Sequence, residues 1–584
     1  MRKRSSSPAR KIRKQYRLRL LLVILVIAAA NYLGSLYFTR IDLTSDKRFT
    51  LAKVSKNVLK QVHSELLFTV YLKGKFPAGF KRLEIQTREM LEELQAYNSY
   101  IRFRFVNPSA SSNPKKREKF YQRLIDSGLS PTNLQVKTKN GMQQQIIFPG
   151  AILRYKKREI PVSLLSNERN IPPAEVLNHS VENLEFTFVN AIHELVQPKK
   201  PTLAYLTGQG EPQGKRVSDI FNTLHQDYSF SMVRIDTLPN PLLEREKKKN
   251  STLFQVVPRY RALIVAKPQK PFSEREKLMI DQYIMYGGKV LWLIDPVLAS
   301  MDSIKRSGTT VSIDLHLGLQ AQLFTYGVRL NKDLLLDLNA VPIPVRTGQA
   351  GNEPQIQLLP WYYYLLVTPR SNQPVVRNLN SIEMNFVSSI DTLAIKGVKK
   401  TILLKTSPYC GVEKVPGIIS LDILQQKPPP YFFRGPARNV AVLLSGRFTS
   451  DFRNRLVSGL KSKVYPFRDK SIPTQMIVVS DGDVIRSQLK VPDGYPLPLG
   501  YNQFTQQTYG NKDFVLNALN YLTDGPGLIS LRTREFKLRL LDKTKVNRQG
   551  LQWQLFNVLA PLMVMFLFAF AIIGLRKRKY GRKS

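Results

Sequence analysis

Cysteine and histidine are scarce in this 584-residue chain, which has one cysteine and five histidines. Cys410 cannot form a disulfide within the chain, and a Cys-rich zinc site is excluded. The segment "SPYCGV" around Cys410 also lacks the spacing of a nucleophile elbow. His193 and Glu194 begin a zinc-protease motif, but Gln197 stands where the second histidine is needed. We therefore predict a His-Glu pair on a helix surface rather than a metal site.

Acidic residues are also few. The chain has 43 Asp and Glu against 88 Lys and Arg, a formal charge of +45. Such an excess favours acidic partners, among them lipid headgroups, anionic glycans, nucleic acid and acidic proteins. The basic run at Glu244–Asn250, "EREKKKN", is interpreted as a solvated loop rather than a nucleic-acid site. We expect an anionic lipid or glycan as a possible partner, and no nucleic acid.

Two long apolar segments stand out from the polar remainder. Leu20–Phe38 and Leu555–Leu575 each approach the ~20 residues that a helix needs to cross the hydrocarbon. Basic clusters precede the first segment and follow the second, and such clusters stay cytoplasmic. The pattern predicts a two-pass inner-membrane protein with both termini inside and the bulk in the periplasm. The alternative for the first segment is a cleaved signal peptide processed at Ala28–Ala30.

The first half of the chain alternates strand and helix patterns. Strands are predicted at Leu66–Leu72, Ile101–Pro108, Leu134–Lys137, Gln144–Ile147 and Ala151–Tyr155, and helices at Leu51–Val62, Leu83–Tyr97, Lys115–Asp126 and Val176–Leu195. This order is that of a thioredoxin-like layer, although the redox Cys-x-x-Cys is missing and thiol chemistry is excluded.

A parallel α/β sheet is predicted after Gln197. Buried strands are indicated at Thr202–Leu206, Phe230–Ile235, Ala262–Ala266, Lys289–Ile294, Val440–Gly446 and around Met476, with a helix at Asp513–Leu522. Ser273 and Glu276 form a capping box for another helix, which Gly287–Gly288 should end. The intervening residues 299–430 are interpreted as an insertion or subdomain.

The turn Thr207–Arg216, "TGQGEPQGKR", follows an apolar strand and precedes a helix pattern, the setting of a phosphate-binding loop. Its spacing does not fit: five residues separate Gly208 from Gly214, and Arg216 replaces the magnesium-binding hydroxyl after Lys215. A looser dinucleotide-binding pattern is still met by Gly208, Gly210 and Gly214. Asp236 stands after the next strand, where such a pattern has a ribose-binding acid. Glu211 and Pro212 oppose it, because one adds negative charge and the other removes an N–H donor. These residues are therefore rejected as a cofactor site, and a tight turn is preferred.

The remaining polar candidates have structural explanations. Asp481 and Asp483 follow an apolar strand and could hold a metal, but Asp-Gly is also an ordinary turn, which we prefer. The aromatic segments Leu358–Leu366 and Pro428–Phe433 could stack sugars, although packing or a protein interface is the preferred interpretation. No set of acid, base and oxyanion donors is recognisable, so we predict no cofactor, no catalytic residue and no enzyme activity.

Several stretches resemble the GldG family, the gliding-motility-associated auxiliary proteins of ABC transporters in Bacteroidota. They include "DLTSDKRFTL", "YLTGQGEP", "KPFSEREKLMIDQYIMYGGKVLWLIDP", "YGVRLNKDLLLD" and "LNALNYLTDGPGLISLR". The resemblance implies a substrate-binding-like component beside a separate permease and, indirectly, a separate ATPase. It also implies a glutamine-amidotransferase-like module without its nucleophile. It brings no catalytic residues.

The predicted fold is therefore α/β. Two terminal transmembrane helices flank a thioredoxin-like N-terminal domain and a glutamine-amidotransferase-like (flavodoxin-like) parallel α/β domain with an insertion. The segments are a cytoplasmic basic tail (1–19), a transmembrane helix (20–38), the thioredoxin-like domain (39–197), the first part of the α/β sheet domain (198–298), the insertion or subdomain (299–430), the remainder of that domain (431–530), a membrane-proximal segment (531–554), a transmembrane helix (555–575) and a cytoplasmic basic tail (576–584).

Three functions follow as hypotheses. The first is a non-enzymatic auxiliary subunit of an ABC transporter. The second is a periplasmic receptor for glycan or lipid, and the third is a degenerate hydrolase with activity at Asp481 and Asp483. For the first, Asn557, Ala560, Pro561 and Gly574 are the candidate partner-binding residues, because small and polar residues permit close helix contacts in a membrane.

The basic clusters make the topology testable. A reporter enzyme that is active only in the periplasm should be active when fused near Lys248 and inactive when fused after Ser584, because the basic flanks stay inside. The reverse activities would contradict the orientation. A mature protein that begins near Asn31 would identify the first segment as a signal peptide.

Overall fold

The computed structural model describes residues 18–29, 31, 50–74, 76–138, 141–166, 172–197, 200–236, 240–247, 254–350, 353–425, 428–455, 465–524, 527–533 and 543–580. Two compact units are present. The larger contains the described residues from 18 to 533, and the smaller contains those from 543 to 580.

The described residues include twelve α-helices. They are α1 (Leu18–Ala29), α2 (Lys53–Leu59), α3 (Ala78–Tyr97), α4 (Pro114–Asp126), α5 (Pro173–Glu182), α6 (Leu184–Val196), α7 (Ser218–Asp227), α8 (Glu274–Met285), α9 (Met301–Ser307), α10 (Gln320–Tyr326), α11 (Asn511–Thr523) and α12 (Lys543–Tyr580).

Strands make up much of the larger unit. They are β1 (Leu66–Val70), β2 (Ile101–Phe105), β3 (Thr132–Thr138), β4 (Gly141–Ile147), β5 (Gly150–Tyr155), β6 (Arg158–Ser163), β7 (Thr202–Leu206), β8 (Ser229–Val233), β9 (Leu243–Lys247), β10 (Phe254–Pro258), β11 (Ala262–Ala266), β12 (Val290–Leu293), β13 (Val297–Leu298), β14 (Thr309–Asp314), β15 (Val328–Leu330), β16 (Asp333–Asp337), β17 (Ala340–Ala350), β18 (Glu353–Val367), β19 (Ile382–Asn385), β20 (Ile390–Thr392), β21 (Val398–Lys405), β22 (Cys410–Lys414), β23 (Gly417–Ser420), β24 (Asn439–Gly446), β25 (Thr474–Val479), β26 (Tyr501–Asn502) and β27 (Gln507–Thr508).

A four-stranded sheet forms the first layer, in the order β2-β1-β5-β6. Strands β1 and β2 are parallel, whereas β5 is antiparallel to both of its neighbours. Helix α6 packs on this sheet, and the rings of Phe68 and Phe188 meet edge to face at 5.4 Å. The strand β6 was not predicted from the sequence. A relationship of this layer to thioredoxin stays a prediction.

The second and larger sheet has seven strands in the order β21-β24-β25-β12-β11-β7-β8. The five strands from β25 to β8 are mutually parallel, and β24 and β21 continue the sheet antiparallel. Numbered along the chain, the parallel strands stand in the order 2-1-3-4-5, which is the flavodoxin-like doubly wound order. The prediction that the strands near residues 440 and 476 complete the sheet begun at Thr202 is confirmed.

Both faces of this sheet are covered, so its strands are apolar on both sides. Helices α7 and α11 contribute Leu224 and Phe514 to the core on one face. Helices α8 and α10 contribute Tyr283 and Leu323 to the core on the other. Alternate residues of each strand enter the two cores, for example Ile264 and Val265 of β11. The sheet is therefore held between two separate hydrophobic layers.

Residues 299–430 consist mainly of short strands, with one long hairpin formed by β17 and β18. Trp361 and Tyr362 come from the first aromatic segment noted in the sequence, and Phe433 comes from the second. All three belong to one further core cluster. The ring centroids of Tyr362 and Phe433 lie 5.4 Å apart. These aromatics are packed as the packing interpretation predicts. Strand β21 of this region pairs with β24 at the edge of the seven-stranded sheet.

Several element predictions are confirmed, and two are wrong. Helix α8 begins at the predicted capping box, in which the Ser273 and Glu276 side chains bond each other's backbone N–H. The single helix predicted at Val176–Leu195 is two helices, α5 and α6, separated at Asn183. The predicted loop Glu244–Asn250 is wrong for its described part, because Leu243–Lys247 forms β9 and pairs with β10. The charged side chains of β9 are exposed to solvent on a two-stranded ribbon. A strand of this composition resembles a solvated loop when only its sequence is considered.

In the smaller unit, α12 runs unbroken for 38 residues and contains Pro561. Its segment Arg548–Arg578 is the one helix of the described chain that is long and apolar enough to cross a membrane, by length and composition. The predicted first span is represented only by α1, a shorter apolar helix, and by Asn31. The rest of that span lies outside the described residues.

Burial on both faces makes the central strands sensitive to truncation. We expect Ile264→Ala in β11 to destabilise the protein by about 2–5 kcal/mol, because it removes a fully buried side chain and leaves a cavity. Ile418→Ala in β23 is the matched control, since Ile418 is 69% exposed. Thermal unfolding followed by circular dichroism should show a clear loss for the first variant only. Equal melting temperatures for both variants would contradict the described core.

Candidate functional site

A cavity of about 970 Å³ lies in the larger unit. Its floor includes residues from the segments that follow β11, β12 and β25, at the carboxyl edge of the parallel strands. This edge is where ligands bind in doubly wound sheets, because the strand order reverses and the loops separate there. The volume is at the upper end of the range typical of small-molecule sites, roughly 300–1,000 Å³.

Lys267 occupies the centre of the cavity floor. It follows β11 with a left-handed φ of 46°, a conformation that is uncommon for a side-chain-bearing residue. Its ammonium donates to Asp295, which follows β12, and to Asp483 at 2.7 Å, which follows β25. Burial opposes the charge of Lys267, but the two carboxylates outweigh it and raise its pKa. One amine thereby joins the ends of three adjacent strands.

The segment after β25 contributes further charges to this cluster. Arg486 donates to Asp483, and the Gly482 N–H donates to Asp295. Burial would raise the pKa of Asp483, but Lys267 and Arg486 outweigh it and lower that pKa. Burial itself raises the pKa of Asp295. Lys267, Arg486, Asp295 and Asp483 thus form a network of paired charges.

Asp481 lies beside this network but is engaged by the backbone. Its Oδ2 accepts the Asn385 N–H at 2.8 Å, and its Oδ1 accepts the Asp483 N–H at 2.6 Å. Burial, together with the nearby charges of Asp483 and Asp295, raises the pKa of Asp481 well above its usual value and favours the neutral acid. One carboxylate oxygen of Asp481 therefore closes the turn, and the other holds the end of β19. Among the described residues, no group of three or more His, Cys, Asp and Glu side chains is arranged to hold a metal ion.

Arg216 reaches the same cavity from the end of the turn that follows β7. Burial lowers the pKa of Arg216, and the positive charge of Arg486 lowers it further. Within the described ranges, Arg216 forms no ion pair. The negative charges of Asp302 and Asp483 act in the opposite direction on this pKa, so Arg216 is a half-buried cation near two acids but not in direct contact with either.

Glu383 of β19 is a buried acid on another side of the cavity. Its Oε2 accepts from Asn502 Nδ2 at 3.3 Å. Burial raises the pKa of Glu383 to about 7. Neither histidine nor cysteine occurs among the described residues that line the cavity. The lining can hold a ligand by charge, hydrogen bonds and apolar contact, but it presents no nucleophile paired with a base.

The turn Thr207–Arg216 is closed by its own acid. Gly208, Gly210 and Gly214 have positive φ of 130°, 83° and 61°, so they are needed for backbone conformation. The buried carboxylate of Glu211 accepts the Gln209 N–H at 2.9 Å and is also bonded by the backbone of Gly208 and Glu211. Burial raises the pKa of Glu211, while these donors oppose the rise. An internal carboxylate thus occupies the position that a phosphate would need.

The remaining residues singled out from the sequence lie elsewhere. Gln197 Nε2 donates to His193 Nε2 at 2.7 Å, one turn away on α6. Burial raises the pKa of Cys410 to about 12, which makes its thiol unreactive. Asp236 accepts from Arg234 Nε at 3.0 Å on the surface. Lys215 is exposed and donates to the Gly494 carbonyl at 3.3 Å. None of these positions joins the floor of the cavity.

Helix α12 carries the candidate partner-binding residues in the smaller unit. Asn557, Ala560 and Pro561 line a shallow groove along the helix together with Phe556, Val564, Met565 and Phe568. Gly574 lies further along and has open space around it. Their role in binding a partner stays a prediction.

Sequence reasoning missed Lys267, Asp295 and Arg486 as members of a site. The available signal was position for Lys267 and Asp295, which closely follow β11 and β12, whereas Arg486 lies seven residues beyond the end of β25 at Val479. Asp483 was noticed for that reason. Arg216 was considered only as a residue that breaks a phosphate-binding pattern. Sequence spacing alone does not bring residues 267, 295 and 486 together.

Comparison with known proteins places this cavity in a defined family. Residues 200–518 match the family described as an ABC-type uncharacterized transport system, and residues 45–154 match a domain of unknown function. The first match covers more than half of the chain, and the chain therefore belongs to that family. The expectation of an ABC-transport auxiliary protein is confirmed at this level.

Individual relatives add little detail. An uncharacterized protein of Borreliella burgdorferi is 21% identical over 431 residues, which are 72% of this chain and 75% of that protein. Among solved structures, the N-terminal domain of mmIFT52 is 12% identical, with 56% of this chain and 98% of that chain covered at a TM-score of 0.30. An exo-β-1,4-mannosidase from Opitutaceae bacterium strain TAV5 is 10% identical, with 75% and 51% covered at a TM-score of 0.17. Both TM-scores are too low to support an argument.

The closed turn leads to a prediction about nucleotides. We expect Glu211→Ala to lower stability by about 1–3 kcal/mol, because buried backbone N–H groups lose their acceptor. Lys215→Ala should change stability by less than about 0.5 kcal/mol, since Lys215 is exposed. Thermal unfolding measures both effects, and calorimetric titration should detect no binding of ATP or NAD. Micromolar nucleotide binding that Lys215→Ala abolishes would overturn this prediction.

Proposed function

We propose that this protein is a non-enzymatic, membrane-anchored auxiliary subunit of an ABC transporter, of the gliding-motility type represented by the GldG family. It works with a separate permease, and through that permease with a separate ATPase. The family match over residues 200–518 carries the proposal, because it assigns the cavity-bearing part of the chain to an ABC-type transport system. The bulk of the chain lies in the periplasm, and both termini are cytoplasmic.

The cavity supports a substrate-binding-like role. It lies at the carboxyl edge of a doubly wound sheet, and its floor is held rigid by paired charges. A rigid floor on strand ends positions ligand contacts better than a free loop does. Paired charges without an adjacent nucleophile and base suit recognition rather than turnover. In this role, ligand occupancy is the periplasmic event that the subunit communicates to the permease.

Helix α12 supports the membrane part of the proposal. Its apolar side chains are exposed, with Phe568 at 68% and Leu567 at 67%, as expected of a surface that meets lipid or another helix. The two proposed spans are too few to enclose a pore, so a transport path requires another protein. The groove beside Pro561 offers a close approach for a partner helix, with the Asn557 amide as a hydrogen-bonding group. We propose that the permease packs there.

A replacement of the span tests the permease contact. A chain with poly-leucine at residues 555–575 should insert and fold but lose most of its co-purification with the permease, because leucine fills the groove and removes the amide. The matched control is the same poly-leucine span with Asn557, Ala560, Pro561 and Gly574 restored, which should recover co-purification. Tagged proteins are purified in mild detergent, and permease and ATPase are quantified by mass spectrometry.

Two results would count against these proposals. If the plain poly-leucine chain retains the permease at wild-type yield, α12 is not the contact. If the unaltered chain recovers neither permease nor ATPase, the subunit role itself fails.

A further inference from the structure

The lining of the cavity is divided into a charged part and an apolar part. The charged part is the floor at the ends of β11, β12 and β25, joined by Arg216. The apolar part is a wall formed by Leu298 of β13, by Ile304 of α9 and by Ile343 and Val345 of β17. Leu298 is 39% exposed, as is Phe504 elsewhere in the lining. A single ligand that satisfied both parts would have one polar end and one apolar body.

The net charge of the charged part depends on which of its side chains already form ion pairs with each other. Lys267 and Arg486 are matched by Asp295 and Asp483 in hydrogen-bonded ion pairs, and these four charges cancel. Among the described lining residues, three cations form no ion pair: Arg216, Lys305 and Arg346. Two acids likewise form none: Asp302 and Glu383. Glu383 is buried, with a pKa of about 7, so it carries only part of a charge near neutral pH. The lining therefore has an excess of positive charge.

Arg216 is the best placed of these cations for a ligand. Lys305 and Arg346 are exposed, whereas Arg216 is half-buried. The backbone places Arg216 beside Arg486, because the Ser487 N–H donates to the Arg216 carbonyl at 2.7 Å. Arg486 uses Nη1 for Asp483, and a guanidinium has further N–H donors in the same plane. A carboxylate or phosphate between the two arginines would relieve their repulsion and receive charge-assisted hydrogen bonds.

We propose that the cavity binds an amphipathic anion, with its carboxylate or phosphate at Arg216 and Arg486 and its apolar body against Leu298, Ile343 and Val345. The ligand class follows from the excess of cations and from the exposed apolar wall within one cavity. This inference rests on the substrate-binding-like role proposed for the same cavity and names its ligand class, and the binding itself can be measured without permease or ATPase.

Binding of hexyl phosphate to the full chain in phosphatidylcholine nanodiscs tests the proposal, with empty nanodiscs subtracted. Isothermal titration calorimetry should show tighter binding of hexyl phosphate than of inorganic phosphate, which lacks the body, or of 1-hexanol, which lacks the charge. Hexanoate tests whether the site prefers a carboxylate to a phosphate. If hexanoate and hexyl phosphate both bind, the site accepts anions in general, and if only one binds, its charged group is the preferred one. Binding no tighter than that of 1-hexanol would overturn the proposal.

Variants locate the two ends of the ligand. Arg216→Gln should weaken hexyl phosphate binding at least about tenfold, in line with the loss of a charge-assisted hydrogen bond, and Arg216→Lys should retain part of it. Arg261→Gln is the matched control, since exposed Arg261 precedes β11 at the opposite edge of the sheet, and it should bind as the unaltered chain does. Leu298→Asn should reduce the advantage of hexyl over ethyl phosphate. Melting temperatures confirm that each variant is folded.

The outcomes separate this inference from the subunit role. Arg216→Gln should still co-purify with the permease, because Arg216 is not part of α12. If Arg216→Gln, folded, binds hexyl phosphate as tightly as the unaltered chain, the anion site is wrong even where co-purification succeeds. If anion binding is lost as expected but no permease is recovered, the binding site stands and the subunit role fails.

Discussion

The ammonium of Lys267 is the contact on which the candidate site depends. It joins Asp295 and Asp483, so the ends of β11, β12 and β25 are fixed relative to one another. Removing one partner of a buried ion pair leaves an uncompensated charge and typically costs about 3–5 kcal/mol. Without this amine, two carboxylates would face each other at the carboxyl edge of the sheet. The arrangement of Arg486 and of the turn at Gly482 follows from the same pairing.

The closed turn after β7 explains the position of the cavity along the carboxyl edge of the sheet. In a flavodoxin-like sheet the crevice is expected between the first and third strands, here β7 and β11. The Gln209 carbonyl accepts N–H groups from Gln269 at 2.7 Å and from Lys270 at 2.9 Å, which ties these two loops together. With Glu211 filling the turn from within, the cavity extends instead toward the ends of β12 and β25. The wall from α9 and β17 then bounds it.

Local patterns in the sequence predicted the elements better than they predicted their assembly. The capping box at Ser273 and the apolar runs of β7, β11 and β12 depend on neighbouring residues, and these elements were found. The apolar pattern continues on both sides of Asn183, so the sequence does not indicate the break between α5 and α6 at that residue. The site needed contacts between residues 267, 295 and 483, and pairing across a sheet is set by strand order, which periodicity does not reveal. The charged strand β9 was missed because its pairing with β10, not its composition, makes it a strand.

The uninterrupted length of α12 has a mechanical consequence. Its 38 residues span about 57 Å at the usual rise per residue, roughly twice the ~30 Å hydrocarbon thickness. A helix of this length that crossed a membrane would extend beyond the hydrocarbon on at least one side. Pro561 lies within the apolar segment and removes one backbone hydrogen bond there, a change at which helices commonly bend. A bend at this position would displace the far end of so long a helix sideways by much more than the residues next to Pro561.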